Sequence, residues 1–432
     1  MTELKTVQFH KPVIRGSIKV PGDKSISHRA IMLGSIAEGK TVVTDFLNGV
    51  DCLRTIDIFR QLGVSIDQNG TDVIIESPGM KNWVQPTKDL YAGNSGTTAR
   101  LMLGILSASK VNSVLTGDES LSGRPMKRVT TPLEKMGACI EGGDFLPLTI
   151  TGGKLKSLEY NMPVASAQVK SAILFAGLNA DGETVVKESA ISRDHTERML
   201  KQFGAQIHQD GSTTKIVGGQ VLKGTDVTVP GDISSAAFFM VATAMVEGSC
   251  CEFKDVGLNP TRIGIIEVLR TMGTKVEIVE QTSDLGEPYG TIRVSQAPLR
   301  GMEISGEIIP TLIDELPIIA LLATQADGKT IIKDAAELRV KETDRIAAVT
   351  SELKKLGAKI EATADGMIIE GPTPLTGGIL KSYGDHRLGM MAAIASLITT
   401  GPIGIEEHSC ISISYPTFFE HLETVALETE EE

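Results

Sequence analysis

The sequence predicts an α/β fold of two domains, each assembled from three copies of a strand–helix–strand–helix–strand–strand unit. Two recurring patterns and their spacing predict it. The first is a short polar turn, an apolar helical run and a glycine turn into a β-branched strand, as in PGDKSISHRAIMLGSIAEGKTVV (21–43). It returns from Gly93, Val164, Pro230, Ile313 and Tyr383. With Asp23, Asn94, Ala165, Asp232, Asp314 and Asp385 as equivalent points, the intervals are 71, 71, 67, 82 and 71 residues. The second pattern is an amphipathic helix that ends in an apolar residue and glycine, then runs into a strand. It reads TIDIFRQLGVSI (55–66), TPLEKMGACIE (131–141), TERMLKQFGAQI (196–207), IIEVLRTMGTKVEI (265–278) and TSELKKLGAKIEA (350–362). Periods of about 20–50 residues mark solenoids and propellers, and the longer period here gives each copy room to be a small α/β subdomain.

Taken in order, VIRGSIKV (13–20) is an opening strand ahead of the first copy. Gly63, Gly137, Gly204, Gly273 and Gly357 fit helix C′ positions, where a left-handed backbone is cheap without a Cβ. A sixth helix, TFFEHLETVA (417–426), has no strand after it, and the tail LETEEE (427–432) is expected to be frayed and solvated. The Pro21–Gly22 and Pro230–Gly231 turns mark the domain change. Residues 21–229 are expected to form one domain, and 1–20 with 230–432 the other. The helices of the first pattern, such as SAAFFMVATAMV and ELPIIALLATQA, have almost no polar stripe and are expected to be buried all round. Three of them per domain, starting at one surface, would add their dipoles and unsatisfied N–H groups there. Two such domains facing one another would leave an interdomain cleft attractive to anions.

Composition narrows the function. At 432 residues the chain exceeds one typical domain, and 41% hydrophobic residues allow large cores. A net charge of −12, no basic tract and 4% aromatics argue against nucleic-acid or anionic-membrane partners. Cys52, Cys139, Cys250, Cys251 and Cys410 are odd in number and lack CxxC spacing, which points to a reduced cytoplasmic setting. The N-terminus MTELKTVQFHKP has no signal-peptide core, and the apolar helices are too short to span about 30 Å of hydrocarbon.

The turns carry the chemistry. Lys24, Ser25, Ser27, His28 and Arg29 follow Asp23 in the first, and Asn94, Ser95, Gly96, Thr97, Thr98 and Arg100 occupy the second. Ser166, Gln168 and Lys170 stand in the third, with Asp385, His386 and Arg387 in the sixth. Taken singly, the Ser, Asn and Asp residues are ordinary N-caps. Lys24 and Arg29 oppose the helix dipole, a conflict that an anion in front of them would resolve. GRPMKR (123–128) places Arg124 before Pro125 as a first helical residue, and KETDR (341–345) places Lys341 and Arg345 four apart on one helix face. IDELP (313–317) puts Asp314 and Glu315 at a helix start, as caps or, for a carboxylate held near several cations, as a general base. RDHTE (193–197) reads better as helix-start polarity than as a metal site, and the chain has no P-loop or dinucleotide fingerprint. These residues describe a two-domain, cofactor-free enzyme for small, multiply anionic substrates.

PGDKSISHRA (21–30), GNSGTTAR (93–100), SGRPMKR (122–128), SAQVKSA (166–172), PGDISSAAF (230–238), IDELP (313–317), LRVKETDRI (338–346) and GDHRLGM (384–390), in that order, closely resemble the EPSP synthase (3-phosphoshikimate 1-carboxyvinyltransferase) family. GDKSIS, RDHTE, SAQVK and NPTR (259–262) look like its class II branch, often associated with weaker inhibition by glyphosate. Gly96 is retained where some strongly tolerant members carry alanine. The resemblance implies a two-domain inside-out α/β barrel that closes on its substrates. It also implies transfer of the enolpyruvyl group of phosphoenolpyruvate to the 5-hydroxyl of 3-phosphoshikimate, without metal or organic cofactor. Lys24, Ser25, Arg29, Ser166, Ala167, Gln168, Asp314 and Lys341 are then expected around 3-phosphoshikimate. Lys24, Asn94, Gly96, Arg124, Gln168, Arg345, His386 and Arg387 are expected around phosphoenolpyruvate, with Asp314, Glu342 and Lys24 catalytic. Some relatives have a lysine near ISYP (413–416), where this chain offers Ile413. The alternative is a transferase acting on UDP-N-acetylglucosamine. That family usually has a cysteine five residues before the arginine of its RP motif, where this chain has Glu119. A cytoplasmic monomer is expected.

Overall fold

A computed structural model describes residues 3–282 and 286–428. The chain divides into two compact units. Gly22–Val229, joined by Gly286 and Glu287, forms an inserted unit; the described residues up to Pro21, from 230 to 282 and from Pro288 onward form a terminal unit. Each unit has its own hydrophobic core.

Six apolar helices build these cores. They are α1 (Lys24–Ile36), α2 (Gly96–Ser107) and α3 (Ala167–Gly177) in the inserted unit, and α4 (Ile233–Met245), α5 (Leu316–Ala323) and α6 (His386–Ala395) in the terminal unit. In α4 every residue from Ile233 to Ala244 is buried, as expected for a helix with no polar stripe. Asp23, Ser95, Ser166, Asp232 and Asp385 accept N–H bonds through their side chains at five of the six starts. The glycines that end the amphipathic helices have φ of 86° (Gly63), 95° (Gly137), 85° (Gly204), 112° (Gly273) and 92° (Gly357), the left-handed conformation their position requires.

The sheets repeat one topology. In the second copy Leu90–Tyr91 lies parallel to Asn112–Thr116, which pairs antiparallel with Leu148–Thr151, which in turn pairs with Cys139–Glu141. The third and fifth copies do the same with their own strands. The other three borrow. The first sheet takes Val227–Thr228, from the far end of the inserted unit, parallel to Glu38–Thr44. The fourth takes the opening strand Pro12–Ile18, parallel to Cys250–Gly257. In the sixth, Leu4–Val7 pairs antiparallel with Ile403–Glu406, beside Gly378–Lys381.

Three local expectations are corrected. A strand does follow the sixth amphipathic helix: Ala426–Glu428 pairs antiparallel with Pro12–Ile18, so the tail's first residues are anchored, and 429–432 lie outside the described residues. Pro125 is not a first helical residue, because the N–H of Met126 bonds Asp144 O at 2.7 Å and the helix begins at Lys127. Lys341 does not share a helix face with Arg345. The Asp344 side chain caps Ala347 N at 3.1 Å, so the helix begins at Arg345 and Lys341 is extended backbone before it. Among the described residues no helix is long and apolar enough to cross a membrane.

Candidate active site

In each unit, side-chain bonds join the first turns of the three core helices. In the inserted unit, Arg100 on α2 donates to Gln168 Oε1 on α3 at 2.8 Å, and Gln168 Nε2 donates to Thr97 Oγ1 at 3.2 Å. From α1, His28 Nδ1 meets Thr55 Oγ1 at 2.7 Å, and Thr55 meets Thr98 of α2 at 2.8 Å. Burial pushes the His28 pKa well down, with Lys24 and Arg29 pushing the same way, so this chain runs through a neutral imidazole. Ser166 Oγ accepts from Val169 N at 3.5 Å as an N-cap, and Ala167 is the first residue of α3.

The cations expected to meet anions are already partly engaged. Lys24 is ion-paired with buried Asp51, which no sequence motif marked. The Asn94 amide donates to Asp118 Oδ2 at 2.8 Å and accepts from Arg124 Nη2 at 2.6 Å, relaying an aspartate to an arginine. A Cβ on Gly96 would stand 2.9 Å from Arg100 Nη1 and 3.7 Å from Arg124 Nη1, so the glycine admits two guanidinium groups beside the α2 start.

Arg29 is buried, yet among the described residues its guanidinium bonds only neutral oxygens. Nε donates to Thr196 Oγ1 at 2.7 Å, Nη2 to Ser171 Oγ at 2.8 Å and Nη1 to Ser25 O at 2.9 Å. Burial pulls its pKa down to about 10, against partial support from Glu197, Asp23 and Glu287. The RDHTE residues sit at the start of the helix His195–Gln202. Glu197 is 2.7 Å from the buried Lys170 ammonium, which also bonds Glu188 at 2.8 Å, and His195 Nδ1 lies 2.6 Å from Glu287 Oε1. No group of three or more metal-ligating side chains gathers among the described residues.

In the terminal unit, Asp314 occupies the turn before α5, and three cations converge on its carboxylate. Arg345 Nη1 lies at 3.2 Å, Lys341 Nζ at 3.4 Å and Arg387 Nη2 at 3.9 Å. Arg387 Nη1 also donates to Asp314 O at 3.1 Å and lies 3.7 Å from Glu315 Oε1. Ser234 at the start of α4 donates to Glu315. Arg345 is fully buried: Nε bonds Asp385 Oδ2 at 2.7 Å and Nη2 bonds Glu342 Oε2 at 2.7 Å. Burial alone would lower the Arg345 pKa; the charges of Asp385, Glu342 and Asp314 override it and raise it. His386 begins α6, whose start is capped by Asp385 accepting from Arg387 N at 2.9 Å. This cluster can hold a carboxylate or phosphate beside a carboxylate base.

The family model of EPSP synthase (3-phosphoshikimate 1-carboxyvinyltransferase) matches residues 10–422. A Bacillus pumilus relative named 3-phosphoshikimate 1-carboxyvinyltransferase is 58% identical over 421 residues, covering 96% of this chain and 98% of its own. The chain belongs to the EPSP synthase family. A second relative of that name, from Bacillus subtilis, is 57% identical over 413 residues, covering 95% of this chain and 96% of its own. A solved structure of the Acinetobacter baumannii EPSP synthase superposes with a TM-score of 0.90 at 45% identity, covering 99% of both chains. The enolpyruvyl transferase NikO from Streptomyces tendae shares the fold, with a TM-score of 0.81 at 17% identity and 98% coverage of both chains. The chain is thus a transferase with the two-domain α/β fold of EPSP synthases, and the UDP-N-acetylglucosamine alternative is not favoured.

Proposed function

We propose a division of labour among these residues for the reaction of the family. The chain transfers the enolpyruvyl group of phosphoenolpyruvate to the 5-hydroxyl of 3-phosphoshikimate and releases phosphate, a step of the shikimate pathway. The observation that carries this is identity of 55–58% to relatives of that name over nearly the whole chain. A phosphate-release assay offering 3-phosphoshikimate or UDP-N-acetylglucosamine with phosphoenolpyruvate tests it; turnover only with the sugar nucleotide would overturn it.

Lys24, Ser25, Arg29, Ser166, Ala167, Gln168, Asp314 and Lys341 bind 3-phosphoshikimate. Lys24, Asn94, Gly96, Arg124, Gln168, Arg345, His386 and Arg387 bind phosphoenolpyruvate. Asp314 takes the proton of the 5-hydroxyl as its oxygen attacks C2, while an acid, Glu342 or Lys24, protonates C3. The tetrahedral adduct then loses the C3 proton and expels phosphate. The gathering of Lys341, Arg345 and Arg387 around Asp314 supports placing its carboxylate beside the anionic substrates. Phosphate and carboxylate groups of the substrates compete for the outer two cations, and Asp314 turns to the hydroxyl as they let go. Arg345 stays, fixed by Asp385 and Glu342. Asp314→Asn keeps substrate binding and lowers kcat by roughly 10²–10⁴-fold, the range of a positioned general base; near-normal phosphate release would remove Asp314 from the role. All five cysteines are free thiols, which supports a reducing cytoplasmic compartment. The working form is a monomer, which sedimentation velocity tests.

A further inference from the structure

The roles above leave RDHTE (193–197) and the neighbouring pair Lys170–Ser171 without a part. These stretches meet inside the inserted unit. Lys170 Nζ is 2.7 Å from Glu197 Oε1, and beside that pair Ser171 Oγ is 2.7 Å from Thr196 Oγ1. Lys170, Ser171, Thr196 and Glu197 are all buried. The ion pair, reinforced by Glu188 at 2.8 Å, pins α3 to the helix His195–Gln202, so the two hydroxyls cannot drift apart.

Both hydroxyl oxygens accept from Arg29, at 2.7 and 2.8 Å. A guanidinium has five N–H donors in a rigid planar fork. Thr196, Ser171 and Ser25 O take three of them, which leaves one on each terminal nitrogen. A carboxylate in place of the hydroxyls would fix the fork and also cancel its charge, as Asp385 does for Arg345. Neutral oxygens fix the fork and leave the charge. The lowered pKa of Arg29 fits a cation held where it is poorly solvated and where an arriving anion gains most.

We infer that Thr196, braced by Ser171, is a positioning residue that aims Arg29 at an anionic group of 3-phosphoshikimate through a neutral contact that does not pair off its charge. This rests on the proposed role of Arg29 in binding that substrate. The test is the Kd of 3-phosphoshikimate for the full chain, by calorimetry, alongside kcat and the two KM values. Thr196→Val keeps the side-chain shape and removes the acceptor. The expected Kd rises about tenfold, in the range of one hydrogen bond to a charged group. The KM for phosphoenolpyruvate and kcat at saturation move much less, and Thr196→Ser restores the Kd. Ser171→Ala gives a second reading of the same clamp if Thr196→Val does not fold. Arg29→Ala, measured beside them, separates the two levels. Weakened binding in Arg29→Ala with normal binding in both Thr196→Val and Ser171→Ala overturns the inference alone. Equal weakening in Thr196→Val and Thr196→Ser makes the site a packing contact and also overturns it. Normal binding in Arg29→Ala overturns the role of Arg29 and the inference with it.

Discussion

Arg29 and Arg345 are buried guanidinium groups, one in each unit, held by opposite chemistry. Arg345 is ringed by the carboxylates of Asp385, Glu342 and Asp314, and its charge is spent inside the protein. Arg29 rests on two hydroxyls and a carbonyl, and carboxylates support its charge only from a distance. Desolvating a cation without a partner carries a large penalty, whereas a well-bonded ion cluster returns much of it. A buried cation paired within the protein is thus held rigidly by the fold, and one oriented by neutral atoms keeps more of its charge for a ligand. By that criterion the carboxylates fix Arg345 beside Asp314 at the proposed phosphoenolpyruvate site, and Arg29 suits its proposed role toward 3-phosphoshikimate.

The comparison breaks most visibly at Asp385. Asp385→Ala strips the buried Arg345 of the carboxylate that bonds it twice and removes the α6 cap, and is expected to lower stability by about 3–5 kcal/mol in denaturant melts. A loss below about 1 kcal/mol would mean that the cluster is not what holds Arg345. Arg29→Met should do the reverse. The free protein changes by less than about 1 kcal/mol or gains, because Ser171 and Thr196 still bond each other. The rise in Tm that 3-phosphoshikimate gives the parent protein shrinks or disappears. A large loss of stability in the free protein would erase the distinction between the two arginines. The smallest effect concerns the pair that braces the Arg29 clamp. Burial pushes the Glu197 pKa up against the pull of Lys170, so the folded chain keeps that proton to higher pH than the unfolded chain. Its contribution to stability is full below the ordinary glutamate range and falls as pH rises from about 4.5 through the folded value. Glu197→Gln should flatten that part of the stability–pH curve, and an unchanged slope would show that Glu197 ionises as freely folded as unfolded.

The sequence made the local half of this architecture legible. Apolar helices such as Ile233–Met245 and the C′ glycines follow from composition and spacing within a few residues, and both stand where the pattern put them. Partner choice at long range was not legible. Nothing in LKTV (4–7) says that it pairs with Ile403–Glu406, or in Val227–Thr228 that it completes the first sheet. The same division runs through the site. Asp314, Lys341, Arg345 and Arg387 could be named from their motifs, but the helix-face argument for Lys341 failed because Asp344 moves the helix start. It is through the Asp314 carboxylate that Lys341 and Arg345 meet. Asp51, Ser171 and Thr196 were overlooked because each matters only through a side chain distant in sequence, which no local pattern encodes.

The borrowed strands also set an order of events at the ribosome. Gly22–Val229 has its opening and closing strands in one continuous stretch, so that unit can complete its sheets while the rest of the chain is still being translated. The segments Leu4–Val7 and Pro12–Ile18 precede that unit in the chain and pair only with strands that follow it. Until Cys250–Gly257 and then Ile403–Glu406 emerge, the nascent chain carries two orphan edges, the period when a chaperone has most to protect.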